Sequence, residues 1–478
     1  ARAENGQGGT IKVLGDKVGV FDQSTIDVSG KTGGGKALIG GDFQGQNQNI
    51  RNASHTIVDR NTNIYADALN NGNGGQVIVW ADGTTQFLGN IFTRGGAEGG
   101  NGGFVEVSGK GNLMFRGSTD RSAVNGLGGV LLLDPRDITI GSNNTDDSAL
   151  TNNGSVSFDE CTGAGCSAAS DDFRISASQV AAQLSSGAVV LQAQEDIFVT
   201  ADIAASQGNS NSLTLEAGNY IEITAGINLR NGNLTIIADS TGCGASCQTS
   251  TNLPDVSISG AIDTTGSIDI TAGNDVLITG VIGGVNRPAA VTIDAARNIQ
   301  VQADVTTNNG NFTATATNGY FDNWFDNQNI NVGTGVASIT AGGAGNVTKN
   351  ASFTAAAFLG DITAGSLTVN TAGNGTTTTG GNIQQSVVAA RNLDVSGTAA
   401  FNAGTNEINL QNGSNDLRGT ITLTTTSTAT DTNNNATLRN DSSTGTTTLG
   451  AMTVAGNLTV NADDSLTLTG NATADNIA

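Results

Sequence analysis

The chain has 478 residues, of which 67 are Gly and only 3 Pro, with 13% charged and 4% aromatic residues. The charged share is about half that of an ordinary globular domain, and a net charge of −22 with a pI near 4.1 argues against the basic surfaces that nucleic acid and anionic membranes require. Low hydrophobicity with high net charge also describes disordered chains, but Val, Ile and Leu alternate here with small polar residues at a period of two, which a disordered chain has no reason to keep.

No apolar run in the sequence reaches the length of a membrane span, so no membrane insertion is expected. The opening Ala1-Arg2-Ala3-Glu4 is not a signal peptide, and the expectation is a mature product or an internal fragment. The first third repeats a Gly-Gly pair followed by a strand: Gly8-Gly9-Thr10-Ile11-Lys12-Val13, Gly74-Gly75-Gln76-Val77-Ile78-Val79, Gly102-Gly103-Phe104-Val105-Glu106-Val107 and Gly128-Gly129-Val130-Leu131-Leu132-Leu133.

An insertion is expected at 141–188, carrying Cys161 and Cys166 and a short helix-like stretch at Ser178–Leu184. A second close pair, Cys243 and Cys247, lies in another Gly/Ala/Ser loop. Two local disulfides in an oxidising compartment are the favoured reading of the four cysteines. The rival, a zinc site, would need both pairs on adjacent rungs, and the single histidine, His55, is distant in sequence. Neither spacing is the Cys-x-x-Cys of a redox motif.

From residue 189 onward four windows align without a gap: VVLQAQEDIFVTADI (Val189–Ile203), LTLEAGNYIEITAGI (Leu213–Ile227), IDITAGNDVLITGVI (Ile268–Ile282) and VTIDAARNIQVQADV (Val291–Val305). LTVNADDSLTLTGNA (Leu458–Ala472) fits the same template, and Leu234–Ala238 marks a further rung. Positions one, three, nine and eleven are apolar, and position five is Ala193, Ala217, Ala272, Ala295 or Ala462. Period two puts these residues on one face of a strand–turn–strand unit. Unit-length repetition without hairpin signals predicts a right-handed parallel β-helix of about 24 residues per rung and roughly 20 rungs, stacking to roughly 95 Å. The expected organisation is a Gly-Gly-strand part (1–140), the insertion (141–188) and a β-helix of regular rungs (189–478).

Gly102–Gly109 together with Gly128-Gly129-Val130-Leu131-Leu132-Leu133-Asp134-Pro135-Arg136-Asp137-Ile138-Thr139-Ile140 resembles the filamentous-haemagglutinin-like large exoproteins of two-partner secretion systems, particularly the cyanobacterial ones. The resemblance covers most of the chain and is densest from Gly74 to Val305; the family's Asn-Pro-Asn-Gly-type secretion domain is absent from this sequence. It implies an extracellular or cell-surface adhesin or filament component, exported through an outer-membrane transporter partner and meeting surface glycans or proteins.

The segment Tyr320–Asn327 stands out in a chain with two Trp and three Tyr. Tyr320, Asp322, Trp324 and Phe325 are candidates for stacking on sugar rings and bonding their hydroxyls, against the favoured reading of rings buried at a corner. The acidic pairs Asp146/Asp147, Asp159/Glu160, Asp171/Asp172 and Asp463/Asp464 could begin a calcium site but match no calcium motif, and solvated loops are the expectation; no other metal or cofactor is expected. Polysaccharide lyases and hydrolases share this fold class, yet no carboxylate pair beside Arg or aromatics, no Ser-His pairing beyond His55 and no phosphate loop is visible, so no catalytic residue and no enzyme is predicted. A carbohydrate-binding or carbohydrate-cleaving module is the alternative to an adhesive or structural rod. Both ends go directly into strands, so continuation in a longer chain, or end-to-end self-association, is expected there.

Overall fold

The computed structural model describes residues 1–142, 172–238, 254–324, 328–342, 347–349, 353–373, 380–387, 391–427 and 434–478. The protein is a parallel β-helix in two compact units, Ala1–Cys243 and Gly244–Ala478.

In the first unit, one face is a sheet of eight parallel strands: Thr10–Val13, Lys36–Ile39, Gln76–Ala81, Phe104–Gly109, Gly129–Leu133, Gly187–Ala193, Leu213–Ala217 and Leu234–Ala238. A second face stacks Lys17–Val20, His55–Val58, Thr84–Phe87 and Asn112–Phe115. A third stacks Thr25–Asp27, Asn63–Tyr65, Asn90–Phe92 and Ser118–Asp120. Each strand pairs with its counterpart one rung away, so the aliphatic positions form continuous buried ladders. Val77, Val105, Leu131 and Val189 make one, with none more than 1% exposed.

The Gly-Gly pairs have a steric cause. A Cβ on the second glycine would meet the carbonyl oxygen of its counterpart one rung earlier: Gly75 on Gly35 and Gly103 on Gly75 at 2.1 Å, and Gly129 on Gly103 at 2.0 Å. A Cβ on the first would meet the end of the third-face strand, as Gly74 on the Thr93 oxygen at 1.9 Å. Gly34-Gly35 is a fifth member of this series, which the sequence pattern alone did not single out.

The insertion breaks the regular coil. Asp172–Ser176 pairs in parallel with Asp137–Gly141, whose other neighbour is Asp196–Val199. Helix α1, Ala177–Leu184, follows directly, as the sequence predicts. Ser176 caps it by accepting from the Gln179 amide, and α1 packs against strands of the third face on both sides, Ser118–Asp120 and Ile203–Ala204.

In the second unit, the first-face sheet runs Ser267–Ala272, Ala290–Ala295, Phe312–Ala316, Val336–Ala341, Ser366–Asn370, Ala399–Gly404, Thr420–Thr425, Thr446–Leu449 and Ser465–Leu468. The described residues thus give eight rungs in one unit and nine in the other, against about twenty expected. The difference lies in long rungs: Lys36 and Gln76 are register partners 40 positions apart, Val130 and Ala188 58 apart. The one antiparallel pair among the described strands is Val347–Lys349 with Phe353–Ala355.

The window alignment is the strand register. Val189 pairs with Leu213 and Ala193 with Ala217; Ile268 pairs with Val291 and Ala272 with Ala295. The Leu458–Ala472 window is a correction. Its first half, Asn457–Ala462, pairs with Ala436–Asn440 in the sheet that holds the second halves of the other windows, and its second half lies in the first-face sheet. The template is nearly symmetric between its two strands, so it does not encode which face comes first.

Candidate functional site

The aromatic segment folds against the coil. Phe321 pairs in register with Ile299 and Ala357, is fully buried, and meets Phe312 edge-on at 6.4 Å. Tyr320 and Trp324 are half-buried, both against the Phe358 ring, at 6.5 and 6.0 Å between centroids. The Tyr320 hydroxyl accepts from Gln300 Nε2 at 2.7 Å, and burial pushes this phenol above its ordinary pKa. Asp322, 3% exposed, is covered although it stands in register with the outward-facing Gln300, and it accepts from the Trp324 amide at 2.9 Å. The structure therefore brings Tyr320 and Trp324 together on Phe358 and holds the Asp322 carboxylate against the backbone.

Phe325 lies outside the described residues, as do Cys161, Cys166, Cys243, Cys247, Asp146, Asp147, Asp159, Glu160 and Asp171. Asp463 pairs with Arg439 at 3.3 Å, and Asp464 accepts from the Ser442 amide and the Thr447 hydroxyl. Among the described residues no three His, Cys, Asp or Glu side chains stand close enough to hold a metal ion.

The second unit carries a regular array on the outward side of its first face. One column runs Thr292, Thr313, Ser338, Thr368, Ala400, Thr422 in unbroken register. Two residues along each strand, a parallel column runs Asp294, Thr315, Thr340, Asn370, Asn402, Thr424. All are half-buried or exposed, while Val291, Ile293, Ala337, Ile339, Leu367, Val369, Ile421 and Leu423 between them point inward and are buried. Strand spacing repeats the hydroxyls and amides every 4.7–4.9 Å or so. This face is written in the sequence as the Thr, Ser and Asn alternating with aliphatics, a pattern that by itself signals only a solvated side.

Three buried ionisable groups of the first unit were not foreseen from the sequence. Arg121 is fully buried; its guanidinium donates to the Gln183 side chain at 3.1 Å, to the Gln183 carbonyl at 2.8 Å and to the Thr119 hydroxyl. Burial lowers its pKa to about 10, so it remains a cation at neutral pH, set against the carbonyl-rich end of α1. Glu106 is fully buried and Asp134 is 8% exposed. Burial first, and then neighbouring carboxylates, raise them to about 8 and about 7. Glu106 on its strand, and Asp134 just past the end of Gly129–Leu133, occupy outward positions that simple alternation assigns to water.

Residues 354–424 match a family described as repeats of unknown function (DUF5649). That is a part of the second unit, and its repeat corresponds structurally to rungs, since it contains the paired first-face strands Ser366–Asn370, Ala399–Gly404 and most of Thr420–Thr425. A search of curated proteins finds no match to the chain. No helix among the described residues is long and apolar enough to cross a membrane.

Proposed function

We propose that the chain is a secreted, cell-surface β-helix of the filamentous-haemagglutinin-like type, acting without catalysis as an adhesive or structural part of a larger exoprotein. On this reading it leaves the cell through an outer-membrane transporter partner and meets surface or matrix polysaccharide through the second unit's first face. What supports the reading is that face: in a chain of net charge −22, two in-register columns from Thr313 to Thr424 carry hydroxyls and amides and no charge. A flat, neutral, periodic array of donors and acceptors suits a neutral, periodic, polyhydroxylated partner, because each hydroxyl both donates and accepts.

Two measurements test it. Antibody against the chain should label intact source cells; labelling only after permeabilisation would remove the surface assignment. The purified chain should sediment with insoluble polysaccharides without releasing reducing sugar. A Thr313→Lys, Thr368→Lys, Thr422→Lys variant with unchanged circular dichroism should bind at least tenfold more weakly. Equal binding by that variant would take the contact away from this face, and sugar release would favour a cleaving enzyme.

A further inference from the structure

The 40-residue rung between Lys36 and Gln76 owes its length to a segment, residues 41–54, that crosses the outward side of the first unit's first face. Beneath it lie Leu38, Ile78 and Trp80, outward-facing yet no more than 2% exposed, with Ile50 of the segment and Phe104 packed against them. Phe43 meets Phe104 edge-on at 5.8 Å. The segment lies flat on the indole: a Cβ on Gly41 or Gly45 would stand 2.6 Å from Trp80 ring atoms. Its turn holds Gln44 at φ 50°, ψ 22°, a left-handed conformation that disfavours a side chain like this one.

Asn52 donates to the Gly45 carbonyl at 2.8 Å and to Asp82 at 3.0 Å, and a buried carboxyl holds the turn from below. The Gln44 amide donates to both oxygens of Glu106, at 3.1 and 3.3 Å, and Glu106 has no exposure to water. The Gln44 side chain reaches on to Gln192 at 2.9 Å, which in turn donates to Glu216 at 3.2 Å. Nearer the segment's start, Asp42 is held by Lys36 and Asn47, at 2.9 and 2.7 Å.

We propose that residues 41–54 form a strap, latched by the buried Glu106 carboxyl, that lifts from the outer face when that carboxyl ionises and so uncovers the apolar patch of Leu38, Ile78, Trp80 and Phe104. The charges acting on Glu106 are Asp134 on the next rung and Asp42 on the strap, both negative, with Glu216 acting on Asp134 in turn. The Gln44 amide and the Ser108 hydroxyl favour the anion, but burial outweighs them and holds the closed-state pKa near 8. With the strap open, Glu106 meets water and regains an ordinary value near 4.5. The closed form therefore binds its proton more tightly, and the closed-to-open ratio falls up to about tenfold per pH unit as pH rises between those values.

Trp80 reports the strap directly, because Trp324 is the only other tryptophan. In a Trp324→Phe background, raising pH from about 6 to about 9 should red-shift Trp80 emission and increase its quenching by acrylamide several-fold, with far-ultraviolet circular dichroism unchanged. Hydrogen-exchange protection at residues 41–54 of the unaltered protein, corrected for the intrinsic base-catalysed rate, should fall over the same range, and Glu106→Gln should abolish both changes. A Trp80 that stays shielded to pH 9, or an identical opening in Glu106→Gln, would overturn the latch. Should Glu106→Gln not fold, the exchange profile of the unaltered protein decides, since uniform protection of 41–54 across the range also overturns it.

Discussion

A methyl group on Gly103 would stand 2.1 Å from the Gly75 carbonyl oxygen, and the atom in its way is backbone that two rungs hold in place. Nothing flexible can give, so the rung spacing itself must widen. Gly103→Ala is expected to cost about 2–4 kcal/mol, at or above the usual range for overpacking. Gly6 is the matched control, since a methyl group added there would have nothing within 4 Å; Gly6→Ala should stay within about 0.5 kcal/mol. Denaturant unfolding of both variants checks the pair. Equal effects would mean that the Gly-Gly series reflects backbone flexibility instead of close approach. The glycine pairs were legible in the sequence as a repeat, but their reason was not, because it lies in contacts between residues more than twenty positions apart.

Helix α1 depends on a charge that, among the described residues, has no carboxylate directly bonded to it. Arg121 comes from the rung before the insertion and takes the carbonyl of Gln183 in the helix's last turn, as well as that of Gly187 at 3.4 Å. Removing it strands buried acceptors, so Arg121→Met should destabilise by about 3 kcal/mol, as breaking one side of a buried charged contact does. Chemical denaturation followed by circular dichroism would measure this; a loss under 1 kcal/mol would show the helix to be held by Val180 and Leu184, both buried, alone. A pH dependence belongs to this scale too. Asp134 and Glu106 have folded-state pKa values raised to about 7 and about 8, so between roughly pH 4 and those values the folded state holds protons that the unfolded chain has released. The stability these two groups contribute is therefore full in acid and falls as pH rises through this window, by up to about 1.4 kcal/mol per unit for each group. Asp134→Asn should flatten the slope of unfolding free energy between about pH 5 and 7; an unchanged slope would place the proton uptake elsewhere.

Across the whole chain, what was legible is what repeats. Aligning Ile268 with Val291 needed only the period of two and a constant rung length, and the strands pair in that register. The strap escaped because its target looks ordinary: alternation sends Leu38, Ile78 and Glu106 to water, and only the unbroken apolar runs Ala37-Leu38-Ile39 and Val77-Ile78-Val79-Trp80 hinted at burial on both sides. The buried Asp322 was equally hidden, since nothing local says that a polar residue next to Phe321, at an outward position, is covered.

Repetition also makes the architecture divisible, within limits set by register. Val291 pairs with Phe312, and Ala295 with Ala316, so residues 290–310 span one complete turn of the second unit. Their removal places Asn311 after Ala289, brings Phe312 where Val291 stood beside Ile268, and sets Phe321 where Ile299 stood beside Val276. The inward positions of Val291, Ile293, Ala295 and Ile299 are refilled by Phe312, Ala314, Ala316 and Phe321, and each rung contacts only its neighbours. Deleting 290–310 should leave the circular dichroism per residue and the cooperativity of unfolding nearly unchanged. Deleting only 290–300 places Val301 directly after Ala289, removes the strand that pairs with Ser267–Ala272, and by its odd offset turns aliphatic side chains outward along the following rungs. That shorter deletion should be the one that fails to fold. If both deletions behave alike, the stacking of equivalent rungs is not what holds this unit together.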